Sequence, residues 1–163
     1  MTQDLRIGQG VDMHRFGADQ PLVLGGVEIP SAHGGLAGHS DADVLTHAVA
    51  NALLGSLALG DLGTHFPDTD PRWRGISSLE LLRKIVAMVH ARGYRVRNCD
   101  CTIIAQEPRL APHVTAMRGN LAAALQVETD RVSIKATTAE RLGALGRIEG
   151  IAAQAVALVA SDE

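Results

Sequence analysis

Large apolar residues alternate with smaller or polar ones near the amino terminus of the chain; the large ones are Leu5, Ile7, Val11 and Met13. This alternation has the period of a β-strand with one buried face, so it predicts a half-buried strand. Asp12 and His14 are two residues apart on this strand, and both side chains therefore leave the same face. The strand thus places a carboxylate beside an imidazole.

Further apolar runs have the length and composition of β-strands. Residues 22–24 and 27–29 flank Gly25-Gly26, an arrangement that predicts a tight hairpin. The remaining predicted strands cover residues 94–106, 132–136 and 151–160. The glycine-rich segment 30–38 predicts a mobile loop.

A helical period follows Ser40, and its buried stripe consists of Val44, Leu45, Ala48, Val49, Ala52 and Leu53. Ser40-x-x-Asp43 resembles a capping box with Asp in place of the usual Glu, so the helix is predicted to begin at Ser40. Gly55 is its predicted stop. Asp43 and His47 lie one turn apart on another face, which we expect to look into a cleft.

Two more helices are predicted, with a breaker-rich segment before the first of them. Segment 60–71 has too many Gly, Pro and Asp residues for an element of its own, and its aspartates are typical of turns. Ser77-x-x-Glu80 is a full capping box that opens one helix, and Gly93 closes it. The other helix covers residues 113–125.

The order of these elements is strand, hairpin, helix, helix, strand, helix, strand, strand. It predicts an α+β fold in which helices pack on one face of a mixed β-sheet. A chain of 163 residues is most economically one domain, so we expect residues 1–163 to form a single catalytic domain.

Composition excludes several function classes. The net charge is -3 and there are only four aromatic residues, which argues against nucleic acid, an anionic membrane surface or a base-stacking platform as partner. No segment approaches the roughly 20 apolar residues of a membrane helix. The polar start, residues 1–4, is unlike a signal peptide. Cys99 and Cys101 have a poor spacing for a mutual disulfide, and we expect inert packing cysteines in a reducing, cytoplasmic setting.

The pair Asp12 and His14 is half of a metal site, since Zn²⁺ commonly accepts carboxylate and imidazole together. His47 is the candidate third ligand. Two other interpretations remain open: an Asp-x-His pair also occurs by accident or for structural reasons, and His47 could equally be a partly buried helix histidine.

Residues 137–140, Thr-Thr-Ala-Glu, again have the capping-box pattern, at a predicted strand-to-helix junction. Such a junction favours an anion, although an ordinary cap without ligand fits the pattern as well. No nucleophile elbow and no Walker glycine loop are present in the sequence. A metal site beside hydroxyls and helix amino termini therefore predicts metal-assisted phosphate chemistry on a small molecule.

Five motifs together resemble one enzyme family, the 2-C-methyl-D-erythritol 2,4-cyclodiphosphate synthases of the non-mevalonate isoprenoid pathway. They occur in order and the match runs from about residue 7 to residue 158. The motifs are Gly8-Gln9-Gly10-Val11-Asp12-Met13-His14, His39-Ser40-Asp41-Ala42-Asp43-Val44, Phe66-Pro67-Asp68-Thr69-Asp70, Ile103-Ile104-Ala105-Gln106 and Lys135-Ala136-Thr137-Thr138-Ala139-Glu140.

The resemblance implies two metal ions and two catalytic groups. One Zn²⁺ per chain would be bound by Asp12, His14 and His47, and a second divalent cation, Mg²⁺ or Mn²⁺, by Glu140. His39 and Thr138 match the proposed transition-state stabilisers.

The resemblance also implies a set of substrate contacts. Those on the phosphate and methylerythritol side, besides the zinc ligands Asp12 and His14, are His39, Ser40, Asp61, Gly63, Phe66, Asp68 and Asp70. Those on the cytosine and diphosphate side are Ala105, Arg109, Leu110, Ala111, Thr137, Thr138, Glu140, Ala144 and Arg147. The sequence departs from the family pattern where Gln9 replaces a frequent His, Arg109 a frequent Lys and Ala144 a frequent Phe.

The implied reaction converts 4-diphosphocytidyl-2-C-methyl-D-erythritol 2-phosphate to 2-C-methyl-D-erythritol 2,4-cyclodiphosphate and CMP. The substrate's own 2-phosphate attacks the β-phosphorus, so no side-chain nucleophile is needed. The family is homotrimeric, with active sites between neighbouring subunits. Two alternatives are a metal-dependent phosphohydrolase and a non-catalytic domain that binds nucleotides or isoprenoid phosphates.

Overall fold

A five-stranded mixed sheet with helices on one face forms the framework of the computed structural model, which describes residues 3–162. The strands are β1 (Leu5–Ala18), β2 (Leu22–Leu24), β3 (Val27–Ile29), β4 (Gly35–Leu36), β5 (Tyr94–Ile104), β6 (Val132–Thr137) and β7 (Gly150–Ser161). The helices are α1 (Val44–Ser56), α2 (Leu62–His65), α3 (Ser78–Ala91), α4 (Val114–Leu125) and α5 (Gly143–Gly146).

The sheet has the strand order β4-β1-β7-β5-β6, while β2 and β3 form a separate hairpin. Only β5 and β6 run parallel; the other neighbours in the sheet are antiparallel. The predicted α+β class, the mixed sheet and the hairpin are therefore confirmed. The loop predicted over residues 30–38 was wrong in one respect, because β4 lies within it and pairs Leu36 with Phe16.

Helix α1 lies directly on β1 because two glycines leave room for it. A Cβ atom on Gly8 would stand 1.9 Å from the carbonyl oxygen of Ala52, and one on Gly10 would stand 2.0 Å from that of Ala48. The two carbonyls are one helical turn apart, so the helix axis follows the strand closely. This contact sets the height of α1, and of His47 on it, above the strand.

The large apolar residues of β1 lie on the opposite face of the sheet from α1. Leu5, Ile7, Val11 and Met13 are between 50% and 70% exposed in the single chain. The alternating pattern correctly predicted a strand, but the face packed against α1 carries the glycines, Asp12 and His14. Contact between the strand backbone and a helix backbone requires the smallest residues. The large apolar residues of β1 therefore lie on the face away from the helix, whereas in most half-buried strands they lie on the packed face.

The start of α1 differs from the prediction. The helix begins at Val44, and its N-cap is Asp43, not Ser40. The buried carboxylate of Asp43 accepts hydrogen bonds from the backbone N–H groups of Gly25, Gly26 and Thr46, at 2.9, 2.8 and 3.0 Å. The prediction that Asp43 faces a cleft was therefore wrong: it joins the β2–β3 hairpin to the helix.

The other end of α1 and the segment that follows also depart from expectation. Gly55 lies inside the helix, which ends at Ser56. Segment 60–71 was predicted to lack elements, yet it contains α2 and the start of a 3₁₀ turn, Pro71–Trp73. Asp61 and Asp70 cap these two turns by accepting backbone N–H groups, because Asp favours helix starts as strongly as loops.

The capping box predicted for α3 does not form. Ser77 makes no side-chain hydrogen bond at the N-cap, and Glu80 pairs with Arg83 instead. The carboxylate of Asp41 replaces it by accepting the N–H of Ser78 at 2.9 Å. Gly93 closes the helix in a left-handed conformation, as predicted, with φ of 77°.

Two remaining expectations concern the core and the membrane. Cys99 and Cys101 are free and buried, as predicted for packing residues. Among residues 3–162, none of the helices has the length and hydropathy needed to cross a bilayer.

Candidate active site

Three side chains that are far apart in sequence converge between β1 and α1. Asp12 Oδ2 lies 2.9 Å from His14 Nε2 and 2.9 Å from His47 Nδ1. One ligand atom from each residue lies within 4.8 Å of the others. The expectation that Asp12 and His14 share a face is confirmed, and α1 brings His47 to them.

Each histidine has an outer nitrogen, the ring nitrogen that points away from Asp12, and this nitrogen has a partner of its own. His14 Nδ1 lies 2.6 Å from the carbonyl oxygen of Ala37, and His47 Nε2 lies 2.8 Å from Ser78 Oγ. One nitrogen of each ring is thereby left to face the Asp12 carboxylate. Three inward ligands of the O, N, N type fit a zinc site that keeps one position open.

The charges of the cluster reinforce each other. Burial by itself would raise the pKa of Asp12, but hydrogen bonds from His14 and His47 outweigh it and hold that pKa well below the usual range. The same bond to Asp12 raises the pKa of His14. Asp12 is therefore an ionised carboxylate at neutral pH, which is the form that binds a metal.

A cavity of about 470 Å³ opens beside the cluster. Its lining includes seven of the residues implied by the resemblance: His14, His39, Ser40, His47, Gly63, Phe66 and Asp68. Its apolar wall includes Trp73, which meets Phe66 edge-on with ring centroids 5.1 Å apart. Hydroxyl, imidazole and carboxylate groups thus face an apolar wall across a space large enough for a small polyol phosphate.

Asp61 and Asp70 hold the turns at the edge of this cavity. Hydrogen bonds from Thr64 lower the pKa of Asp61, and Arg72 does the same for Asp70. The backbone oxygen of Asp70 lies 3.4 Å from His39 Nε2. Both carboxylates already serve as caps in the free chain.

A second, separate cavity of about 310 Å³ collects the other predicted contacts. Its implied members are Ala105, Arg109, Leu110, Ala111, Thr137 and Thr138. The two cavities have no lining residue in common among the described residues. One chain therefore presents two separate cavities, one lined by His14 and His47 and the other by predicted nucleotide contacts.

The segment after β6 does not have the form predicted for residues 137–140. No helix begins there: Glu140 and Arg141 are left-handed, with φ of 51° and 59°, and α5 starts only at Gly143. Thr138 Oγ1 accepts the N–H of Glu140 at 3.2 Å, in a turn. The predicted strand-to-helix junction was therefore wrong, so no helix amino terminus faces an anion there, and the hydroxyls and Glu140 remain exposed.

The last implied contacts lie outside both cavities. Ala144 is in α5, and Arg147 at its end pairs with Glu149 at 2.7 Å. Trp73, Ser78 and Asp41 were not singled out from the sequence as site residues. Ser78 directly follows the serine of an apparent capping box, and nothing in a linear pattern shows that its hydroxyl reaches His47.

Comparisons of the sequence with known proteins give matches over nearly the whole chain. A sequence model of the YgbB family matches residues 5–160. The chain is 59% identical over 154 residues to the 2-C-methyl-D-erythritol 2,4-cyclodiphosphate synthase of Symbiobacterium thermophilum, covering 94% of this chain and 98% of that protein.

Two solved structures show the same fold. The bifunctional IspDF of Campylobacter jejuni matches with a TM-score of 0.94 at 38% identity, over 99% of this chain and 44% of that one. The CDP complex of IspF from Plasmodium falciparum matches with a TM-score of 0.85 at 29% identity, over 100% of both chains. This chain thus corresponds to less than half of the bifunctional protein.

Proposed function

The chain belongs to the YgbB family, and from this we propose that it is a 2-C-methyl-D-erythritol 2,4-cyclodiphosphate synthase, an enzyme of isoprenoid biosynthesis. It converts 4-diphosphocytidyl-2-C-methyl-D-erythritol 2-phosphate to the cyclic diphosphate and CMP, as a phosphorus–oxygen lyase. The observation that carries this proposal is the cluster of Asp12, His14 and His47 beside a cavity with polar groups on one side and an apolar wall on the other.

The metal-side half of the site would hold the diphosphate and the methylerythritol. A zinc ion bound by Asp12, His14 and His47 would supply positive charge and Lewis acidity next to the phosphates. His39 and Ser40 line the same cavity and would donate hydrogen bonds to phosphate oxygens. Gly63, Phe66 and Asp68 would enclose the methylerythritol, with Asp61 and Asp70 at the edge.

The nucleotide-side half would orient the leaving group. The backbone of the Ala105–Ala111 loop would hold cytosine, and Arg109 would contribute charge. Thr137, Thr138 and Arg147 would bind the diphosphate. Glu140 would bind the second divalent cation, Mg²⁺ or Mn²⁺.

The reaction requires position and charge more than a protein nucleophile. An oxygen of the substrate's 2-phosphate forms a bond to the β-phosphorus, and the bond from that phosphorus to the oxygen of CMP breaks. The step is intramolecular because both phosphates belong to one substrate, and the site would accelerate it by holding them in line. His39 and Thr138 would stabilise the charge that develops on the transferred group.

We further propose a homotrimer whose active sites lie between subunits. Two observations support it: the two cavities do not share lining residues in one chain, and the apolar face of β1 is left without a helix. A ring of heterologous contacts would join the metal half of one chain to the nucleotide half of the next. Residues 1–163 would act as one catalytic domain, and its free, buried cysteines fit a cytoplasmic location.

The direct test incubates the cytidyl substrate with protein, Zn²⁺ and Mg²⁺ in ¹⁸O-labelled water and follows the products by ³¹P NMR. We expect CMP and a cyclic diphosphate, neither of which gains ¹⁸O from the medium. Label in either product would indicate hydrolysis and a phosphohydrolase. Binding of the substrate without turnover would indicate a non-catalytic nucleotide-binding domain.

A further inference from the structure

The outer nitrogen of His47 lies in a buried polar environment that differs from that of His14. Its Nε2 is 2.8 Å from Ser78 Oγ and 3.1 Å from Ser40 Oγ. His47, Ser40 and Ser78 are only 7%, 8% and 1% exposed. Water therefore has little access to this end of the ring, and the protein itself must supply the acceptor.

The Ser78 hydroxyl is oriented by a carboxylate. Ser78 Oγ donates a short hydrogen bond to Asp41 Oδ1, and the Ser78 N–H donates to Asp41 Oδ2 at 2.9 Å. Because the hydroxyl has one proton and gives it to Asp41, only its lone pairs face His47. The bond to His47 must then be donated by the ring, from Nε2–H.

We propose that Asp41 and Ser78 are positioning residues for the metal ligand His47. They keep a proton on Nε2, so that with zinc bound Nδ1 is the unprotonated nitrogen that faces the metal. His14 has only a neutral backbone carbonyl, Ala37 O, in the same role. Because the hydrogen bonds from His47 lead through Ser78 to the Asp41 carboxylate, His47 becomes a stronger electron-pair donor to the metal, as is usual for zinc-bound histidines with such partners.

The same series of hydrogen bonds connects three segments of the protein. Asp41 lies in the loop before α1, His47 on α1 and Ser78 at the first position of α3. The backbone strengthens this link, since the Asp41 N–H donates to Ile76 O at 3.2 Å. The start of α3 is thereby fixed relative to the ligand on α1. This inference rests on the proposed zinc site.

The first experiment measures zinc affinity by competition with a chromophoric chelator. Ser78→Ala should weaken zinc binding by about 10- to 100-fold, the usual effect of removing an outer partner of a ligand. Ser77→Ala is the matched control and should leave affinity unchanged, because Ser77 makes no side-chain hydrogen bond at the neighbouring position. Ser78→Thr restores a hydroxyl and should recover most of the loss.

A double-mutant cycle tests whether Asp41 acts on His47 through the Ser78 hydroxyl, which we call the relay, or whether Asp41 and Ser78 have independent structural roles. Asp41→Asn should weaken zinc binding in the wild-type background but have no further effect in the Ser78→Ala background, since its influence passes through the hydroxyl. Additive losses would overturn the relay. Circular dichroism of the metal-free variants identifies any that fail to fold, and the Asp41→Asn and Ser78→Thr results then decide.

A spectroscopic measurement reports the proton itself. In the zinc-loaded, ¹⁵N-labelled protein, the His47 ring proton should be found on Nε2; a proton on Nδ1 would overturn the proposal. If the wild type does not bind zinc, the proposed metal site fails together with the relay. If the wild type binds zinc tightly and Ser78→Ala binds it equally well, only the relay fails.

Discussion

At the scale of single residues, the candidate metal centre depends on which nitrogen of each histidine faces inward. His14 presents Nε2 and His47 presents Nδ1 to the same oxygen of Asp12. The two rings can do so because each outer nitrogen has a partner elsewhere, on Ala37 or on Ser78. The ligand geometry is thus held by side chains and backbone groups that do not themselves face the metal position.

This arrangement predicts one zinc ion per chain. Purified wild-type protein should contain about one zinc, and His14→Ala or His47→Ala should lose it together with activity, because two remaining ligands bind too weakly. Metal analysis by mass spectrometry measures this directly. His113→Ala is the control, since His113 is outside the cluster. Unchanged zinc in both ligand variants would contradict the assignment.

At the scale of elements, the site is built by the packing of α1 on β1. Gly8 and Gly10 allow the helix backbone to touch the strand, and Asp43 anchors the beginning of the helix to the β2–β3 hairpin. The first contact sets the distance between His47 and Asp12. The second holds the helix start, one turn before His47, in place.

Gly10→Ala should damage both the fold and the metal centre. Its Cβ would stand 2.0 Å from the Ala48 carbonyl oxygen, so the helix must move away, at a cost at or above the roughly 1–3 kcal/mol of ordinary overpacking. The denaturant midpoint of unfolding and the affinity for zinc should both fall. Gly119→Ala, at an open position in α4, should instead be neutral or stabilise by up to about 1 kcal/mol. A Gly10→Ala protein of wild-type stability would contradict the packing argument.

Asp43→Asn separates a structural role from a metal-binding one. The carboxylate accepts four hydrogen bonds, three from backbone N–H groups and one from the Thr46 hydroxyl at 2.7 Å. An amide there turns NH₂ toward two of these donors, and we expect a loss of about 3 kcal/mol in the free energy of unfolding. The folded variant should still bind one zinc. Asp19→Asn, at an exposed position, is the control. Loss of zinc from a folded Asp43→Asn protein would mean that Asp43 does take part in metal binding.

At the scale of the whole molecule, the two groups of predicted site residues lie apart in a single chain. His14 and His47 line one cavity, and the predicted nucleotide contacts from Ala105 to Thr138 line another. The face of the sheet opposite the helices exposes the large side chains of β1, an uncovered apolar surface of the kind that marks an interface. Both features are accounted for together if copies of the chain complete one another.

A complementation experiment tests the shared site. Asp12→Asn disables the metal half, and Thr138→Tyr fills the nucleotide half at an exposed position, so each homotrimer should be inactive. Equal amounts refolded together give mixed rings. A site is whole when one chain supplies a good metal half and its neighbour a good nucleotide half, so roughly a quarter of sites should recover activity.

The control for this experiment is each variant refolded alone, which should stay inactive. Native mass spectrometry establishes whether mixed rings have formed. Mixed rings without activity would mean that both halves of the site lie on one chain. Recovery well above one quarter would also contradict a site built from one half of each of two neighbours.

The sequence by itself determined the elements whose signal is local. Strand alternation, the Gly25-Gly26 hairpin and the left-handed stop at Gly93 follow from backbone preferences of neighbouring residues, and the structure has all three. The Asp12 and His14 pair followed from the two-residue period of a strand. The family resemblance rested on motifs that are continuous in sequence, and the comparisons confirmed it.

Only the tertiary structure decided which partner each polar group takes. Asp43 and Asp41 both lie just before α1, yet one binds the hairpin and the other caps α3. The apparent capping box at Ser40 failed because Asp43 caps α1 instead. The one at Ser77 failed because the distant Asp41 accepts the Ser78 N–H, and the one at Thr137 because no helix begins there. Which face of β1 is buried was likewise decided by the contact with α1. Hydrogen bonds and close packing join residues far apart in the chain, and no local pattern encodes their distances.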